Sequence, residues 1–133
     1  MSVPAGTRVL VVEDDPDTAV VLRARLAAAG YEVHVELSGA AALSFAADHR
    51  PDLVVLDVNL PDLSGYDVCQ ELRKFCTRAE TPVLIYTAMD DPIDAIYVVT
   101  CGADAYLTKC VEPAELLQVL EQLLLEIPCF EFA

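Results

Sequence analysis

The 133-residue chain has no tryptophan, only two histidines (His34 and His49) and only five glycines. None of its cysteines form a CxxC pair, and neither histidine stands at metal-ligand spacing from another ligand, so no zinc or redox motif is legible. Basic residues are scarce: 8 Lys and Arg face 22 Asp and Glu, for a net charge of −14. After Arg78 the only base is Lys109. That balance argues against direct nucleic-acid binding, which rewards clustered Lys and Arg. Long apolar runs are missing too. No stretch approaches the roughly 18 residues of a membrane span. The opening segment Met1–Gly6 lacks a charged-then-apolar signal pattern, so the expectation is a cytoplasmic, non-membrane protein with reduced, mostly core cysteines.

Apolar residues, by contrast, are abundant, at 55% with a mean hydropathy of +0.42. Parallel strands buried on both faces account for such an excess. Strand-like and helix-like segments alternate along the chain, with no internal repeat. Strands are predicted at Arg8–Glu13, Tyr31–Leu37, Asp52–Asp57, Pro82–Tyr86 and Ala103–Thr108. The first intervening helix opens on an Asp15 cap and Pro16 and stops at Gly30. Another starts at Ser38 and ends before Pro51. A third follows the loop Asn59–Gly65 and runs through Val68, Leu72 and Phe75. A fourth lies between Asp91-Pro92 and Gly102, and the last runs from Glu112-Pro113 to about Ile127. Such β-α units imply one α/β domain, a doubly wound parallel sheet between two helical layers. Residues 1–6 read as an N-terminal extension, 7–127 as the domain and 128–133 as an apolar tail.

The strand endings carry the chemistry. Two apolar runs finish in carboxylates, Glu13-Asp14-Asp15 and Asp57, and later ones in Thr87 and Lys109. Ligands of such sheets bind at the carboxyl ends of the strands, so these residues should share one cleft. Clustered carboxylates repel unless a cation joins them. Mg²⁺ suits oxygen donors and keeps waters that a phosphate can replace. Asp14 and Asp57 are the candidate direct ligands, with Glu13 assisting and the backbone carbonyl of Asn59 within reach. Asp15 reads as a helix cap instead. Lys109 is then a point charge, and Thr87 a hydroxyl donor, for an incoming phosphoryl group. Asp57 is the candidate nucleophile, giving an aspartyl phosphate.

Val11-Val12-Glu13-Asp14-Asp15, Asp57 with Leu60-Pro61 and Ser64-Gly65, Thr87-Ala88, and Tyr106-Leu107-Thr108-Lys109 form an ordered set. It resembles the receiver domain of bacterial two-component response regulators, over Thr7 to Ile127. The resemblance implies a flavodoxin-like three-layer α/β/α fold with strand order 2-1-3-4-5. It implies that Asp57, with Mg²⁺, receives a phosphoryl group from a phosphohistidine on a sensor histidine kinase or histidine phosphotransfer protein. It also implies a switch pair, Thr87 and Tyr106, and a downstream protein target or an output domain outside this chain. Such a domain catalyses only its own phosphorylation and dephosphorylation.

One departure stands out. Family members usually have proline, with a cis bond, after the equivalent of Lys109, and here Cys110 follows it. A non-proline cis bond costs roughly 2.5–4 kcal/mol, so a trans bond is expected unless geometry retains a strained cis one. The departure keeps a phosphorylation-independent interaction module as the alternative reading. Met89 is expected to flank the phosphoryl group, where an apolar side chain hinders water. A haloacid-dehalogenase-like phosphatase wants a second aspartate where Asn59 stands, and a flavin carrier wants a Ser/Thr/Gly-rich loop where Glu13-Asp14-Asp15 stands. With Lys109 committed to the site, ionic dimerisation through the fourth helix, fifth strand and fifth helix is disfavoured. The reading is a monomer or an apolar-interface dimer, because the last helix carries a wide stripe from Leu116 to Ile127.

Overall fold

A computed structural model describes Pro4 and residues 6–77, 80–88 and 92–125. Met89, Asp91, Ile127, the tail 128–133 and most of the 1–6 extension lie outside the described residues. Five strands, β1 (Arg8–Val12), β2 (Glu32–Glu36), β3 (Leu53–Leu56), β4 (Val83–Thr87) and β5 (Ala105–Thr108), alternate with five helices. The helices are α1 (Pro16–Ala28), α2 (Gly39–His49), α3 (Gly65–Leu72), α4 (Pro92–Cys101) and α5 (Pro113–Leu124). All strand pairs are parallel and the order is β2-β1-β3-β4-β5, as the resemblance implies.

Local chemistry sets the boundaries. Asp15 caps α1 by accepting from the backbone N–H and hydroxyl of Thr18. At the other end, Gly30 adopts φ +99°, and the Tyr31 N–H reaches back to the Leu26 carbonyl at 3.1 Å, a Schellman closure. Ser38 caps α2 through the Ala41 N–H, and Arg50 ends that helix with φ 44°. The third helix stops at Leu72, short of the predicted Phe75. Beyond Leu72 the backbone continues in turns, Arg73 still αR and the Phe75 N–H bonding the Leu72 carbonyl at 3.1 Å. The Arg73 guanidinium bonds the carbonyls of Gly102 and Thr81 at 2.9 and 2.7 Å and the Asp104 carboxylate at 2.8 Å.

The central strands bury both faces, so two cores form. One packs β1, β3 and β4 residues such as Leu10, Leu56 and Ile85 against α2, α3 and α4. The other packs Val11, Val55 and Leu84 against Leu22 and Leu26 of α1 and Leu116, Val119, Leu120 and Leu123 of α5. The wide α5 stripe is largely absorbed here, since Leu117 and Leu124 are partly buried against the same core. Large apolar side chains that stay exposed lie on α4 (Ile96, Tyr97, Val99), on α1 (Val20, Val21) and at Leu37. Edge strand β2 is only half-buried and carries Glu32 and Glu36, charges that discourage edge pairing. Among the described residues, no helix is long and apolar enough to cross a membrane.

Gly65 opens α3 where its backbone passes under the end of β3, its N–H bonding the Val58 carbonyl at 2.8 Å. A Cβ there would stand 2.2 Å from the Asp57 carbonyl oxygen and 2.8 Å from the Val58 Cα, both backbone atoms that cannot swing aside. Gly65→Ala is therefore expected to lower the unfolding free energy by about 1–3 kcal/mol in urea titrations. An unchanged midpoint would mean that α3 slides without cost.

Candidate functional site

The carboxyl ends of β1, β3, β4 and β5 converge on one polar cluster inside an otherwise apolar sheet edge. Val12 and Leu56 pair across β1 and β3, so the next residues, Glu13 and Asp57, emerge side by side. Their backbones are still tied to the sheet, the Glu13 N–H to the Glu36 carbonyl at 3.1 Å and the Asp57 N–H to the Val12 carbonyl at 3.0 Å. From the far side, Thr87 pairs with Thr108, and the Lys109 N–H bonds the Thr87 carbonyl at 2.9 Å. This aims the lysine across the strand ends. Its Nζ donates to Glu13 Oε1 and to Asp57 Oδ2, the latter at 3.0 Å. Asp57 Oδ1 accepts the Asn59 N–H at 3.2 Å.

The cluster is buried yet charged. Side-chain exposure is 3% for Glu13, 8% for Asp57 and 25% for Lys109. Burial, reinforced by the neighbouring Asp57 carboxyl, raises the Glu13 pKa to about 7 against the opposing pull of Lys109. Burial also works to raise Asp57, but hydrogen bonds with Glu13 and Lys109 outweigh it and hold that carboxyl below its ordinary value. Lys109 loses some basicity to burial and regains more from the two carboxylates, so its pKa is raised. The asymmetry is chemically useful. Asp57 is the stronger acid of the two, and Glu13 the carboxyl that binds its proton more tightly.

Asp14 completes the acidic group from the exposed side, and carboxylate oxygens of Glu13, Asp14 and Asp57 lie within 4.8 Å of one another. Glu13 Oε2 is buried and faces no hydrogen-bond donor. An orphaned buried oxygen beside two further carboxylates fits a hard divalent cation. Asn59 reaches the cluster through its N–H, and its bridge to Ser64 closes the loop beside Asp57. Asp15 stays a helix cap, apart from the cluster.

Thr87 and Tyr106 are both buried, on neighbouring strands. Ile85 pairs with Tyr106 and both belong to the core under α3 and α4; Thr87, two residues beyond Ile85, shares that face. The two form a diagonal pair across β4 and β5, close enough to sense each other. The peptide after Lys109 is trans, no cis bond being present among the described residues. Cys110 is exposed and its thiol pairs with the Thr108 hydroxyl at 2.7 Å. That contact closes the turn that proline would otherwise shape, and Lys109 still reaches both carboxylates.

Asp62 went unnoticed in the sequence. Its carboxylate accepts the N–H groups of Gly39 and Ala40 at 2.8 and 2.9 Å, capping α2 from the loop beside Asp57. A signal did exist: the first turn of α2 has no acidic residue of its own, so its N–H groups needed an acceptor from elsewhere.

The family model for the response regulator receiver domain matches residues 9–121. The transcriptional regulatory protein KdpE of Mycobacterium tuberculosis is 44% identical over 103 residues, 77% of this chain and 44% of that protein. The chain thus spans less than half the length of that relative. The BeF3-activated N-terminal receiver domain of Klebsiella pneumoniae RstA superposes with a TM-score of 0.83 at 33% identity, covering 88% of this chain and 97% of that one. The receiver domain of a signal transduction histidine kinase from Syntrophus aciditrophicus superposes with a TM-score of 0.83 at 32% identity, covering 96% and 97%. The chain belongs to the response regulator receiver domain family.

The raised Glu13 pKa fixes the sign of a pH effect. A carboxyl that binds its proton more tightly when folded adds stability below its ordinary 4.5, and loses it as pH rises through about 7. Asp57, held low, acts in the opposite sense and only in the acid range, its contribution vanishing as pH falls below its ordinary 3.8. With a chelator present, thermal stability is expected to decline from pH 5 toward pH 7.5, about the window set by Glu13. Glu13→Gln should flatten that decline. A slope identical in both proteins would place the titrating group elsewhere.

Proposed function

We propose that this domain accepts a phosphoryl group on Asp57 from a phosphohistidine of a sensor histidine kinase or histidine phosphotransfer protein. The observation that carries the reading is the three-way contact of Lys109 with Glu13 and Asp57 at the strand ends. Asp57 is the nucleophile, the carboxyl whose pKa is held low beside the Lys109 ammonium. An oxygen of Asp57 attacks phosphorus as the phosphorus–nitrogen bond to the donor histidine breaks, and the departing imidazole takes a proton. The Lys109 ammonium then transfers its hydrogen bond from the carboxylate to a phosphoryl oxygen. It needs little movement, since it already spans the site. The Asn59 N–H keeps the Asp57 carboxyl from rotating.

Glu13, Asp14 and Asp57, with the Asn59 carbonyl, would hold Mg²⁺, which supplies charge neutralisation for the transferring group. Thr87 donates its hydroxyl to the phosphoryl group, and Tyr106, buried on the same face, keeps its ring in that inward position beside it. The surface above α4 is altered as a result, and that surface meets a downstream partner or an output domain beyond these residues. KdpE is named a transcriptional regulatory protein, and this chain matches 44% of it. The domain is a phosphoacceptor rather than a metabolic enzyme, and acts in the cytoplasm. Lys109 reaches its two carboxylates despite the missing proline, which favours this reading over a phosphorylation-independent module.

The test is a beryllofluoride titration with Mg²⁺, read by the NMR shifts of β4, α4 and β5 amides, alongside acetyl phosphate labelling. Asp57→Asn is expected to abolish both responses while the domain stays folded. A full response in that variant would sink the proposal. Asp14→Asn removes an exposed carboxylate. It should weaken Mg²⁺ binding at least about tenfold in calorimetry with little change in melting temperature. Unchanged affinity would exclude Asp14 as a ligand.

A further inference from the structure

The loop between β3 and α3 carries Asn59, the residue that steadies Asp57, and it is tied down at two places. At its stem Asn59 bridges to Ser64, and the Gly65 N–H bonds the Val58 carbonyl at 2.8 Å. At its tip the ties come from Asp62. One oxygen of that carboxylate accepts the Gly39 N–H at 2.8 Å and the Leu63 N–H at 3.0 Å, and the other accepts the Ala40 N–H at 2.9 Å. Ser38 takes the Ala41 N–H at 3.2 Å, so the first donors of α2 are divided between its own cap and the loop. The two elements also touch. A Cβ at Gly39 would stand 2.8 Å from Cγ2 of Val68 and 3.1 Å from Cβ of Leu63, so the helix start is pressed against the loop and α3.

We propose that Asp62 is a positioning residue for the chemistry at Asp57, its carboxylate clasping the first turn of α2 so that the β3–α3 loop holds Asn59 beside the acidic cluster. The role rests on the phosphoacceptor reading and extends it to a residue outside the cluster. Asp62 is exposed, so burial does not hold it. Bonding does: an anion at a helix N-terminus, with two backbone donors aimed at separate oxygens, is fixed in direction as well as place. Those donors keep the carboxyl below its ordinary 3.8, so the clasp retains its charge at neutral pH. Asp57 Oδ1 has the Asn59 N–H as its partner at 3.2 Å, while Oδ2 has Lys109. A loop free to swing would release one oxygen of the nucleophile and displace a candidate metal donor, the Asn59 carbonyl.

A plain helix cap would do less. Ser38 also caps α2, through a contact within the helix start. Losing it weakens the helix and leaves the Asp62 clasp in place. The two residues therefore separate helix stability from loop position.

The test compares Asp62→Ala, Asp62→Asn and Ser38→Ala with the wild-type chain in two measurements: hydrogen exchange of the Asn59 amide without metal, and calorimetric Mg²⁺ affinity. Asp62→Ala is expected to speed Asn59 exchange and to weaken Mg²⁺ binding about tenfold, the order usual for a lost outer partner of a metal ligand. Asp62→Asn, which keeps an acceptor for one N–H, should fall between. Ser38→Ala should lower the melting temperature and leave both readings at wild-type values. Either reading unchanged in Asp62→Ala would overturn the proposal, and so would equal losses in Ser38→Ala. A wild-type chain that binds no Mg²⁺ and takes no beryllofluoride would instead remove the phosphoacceptor reading, and this role with it.

Discussion

Everything in this fold that is not ordinary α/β packing answers to one cation among buried acids. Lys109 holds Glu13 and Asp57 together, and each of the three is at least three-quarters withdrawn from water. Removing one partner from a buried charge pair typically costs about 3–5 kcal/mol, because the remaining charge is left uncompensated. Replacing the whole set by apolar residues would often cost nothing. The cluster is therefore not explained by stability. The phosphoryl acceptance proposed above would account for it, with Asp57 held low and the Lys109 ammonium already across the strand ends.

The surrounding scaffold maintains that arrangement through the backbone. Parallel register places Glu13 beside Asp57 and Lys109 beyond Thr87. The loop after β3 is then squeezed against α3 at Gly65, leaving no room even for a methyl group. Asp62 couples that loop to the start of α2, so a change at Asp57 has a short mechanical route to the helix layer.

Fold and carboxylate half of the site were legible because each rests on a local signal. Apolar runs marked the strands, Asp15-Pro16 and Gly30 marked α1, and charges ending apolar runs marked the cleft. Less legible were features set by partners distant in sequence. The third helix was read past its end because the backbone from Arg73 to Phe75 stays hydrogen-bonded in turns that continue its apolar pattern. The width of the α5 stripe does not reveal that Leu117 and Leu124 are partly buried against the core between the sheet, α1 and α5. The turn after Lys109 posed the reverse problem: a missing proline was visible, but the Thr108–Cys110 contact that replaces it was not.

The lysine that neutralises the cluster lies 96 residues after Glu13 and 52 after Asp57. During synthesis both carboxylates leave the ribosome long before their counter-charge does. The first three strands can pair while β5 is still untranslated, but the acids at their ends must then stay hydrated or share a proton. Closure of this corner consequently waits for the last β-α unit of the domain to dock. A chain interrupted before Lys109 would carry the acids without the base that neutralises them.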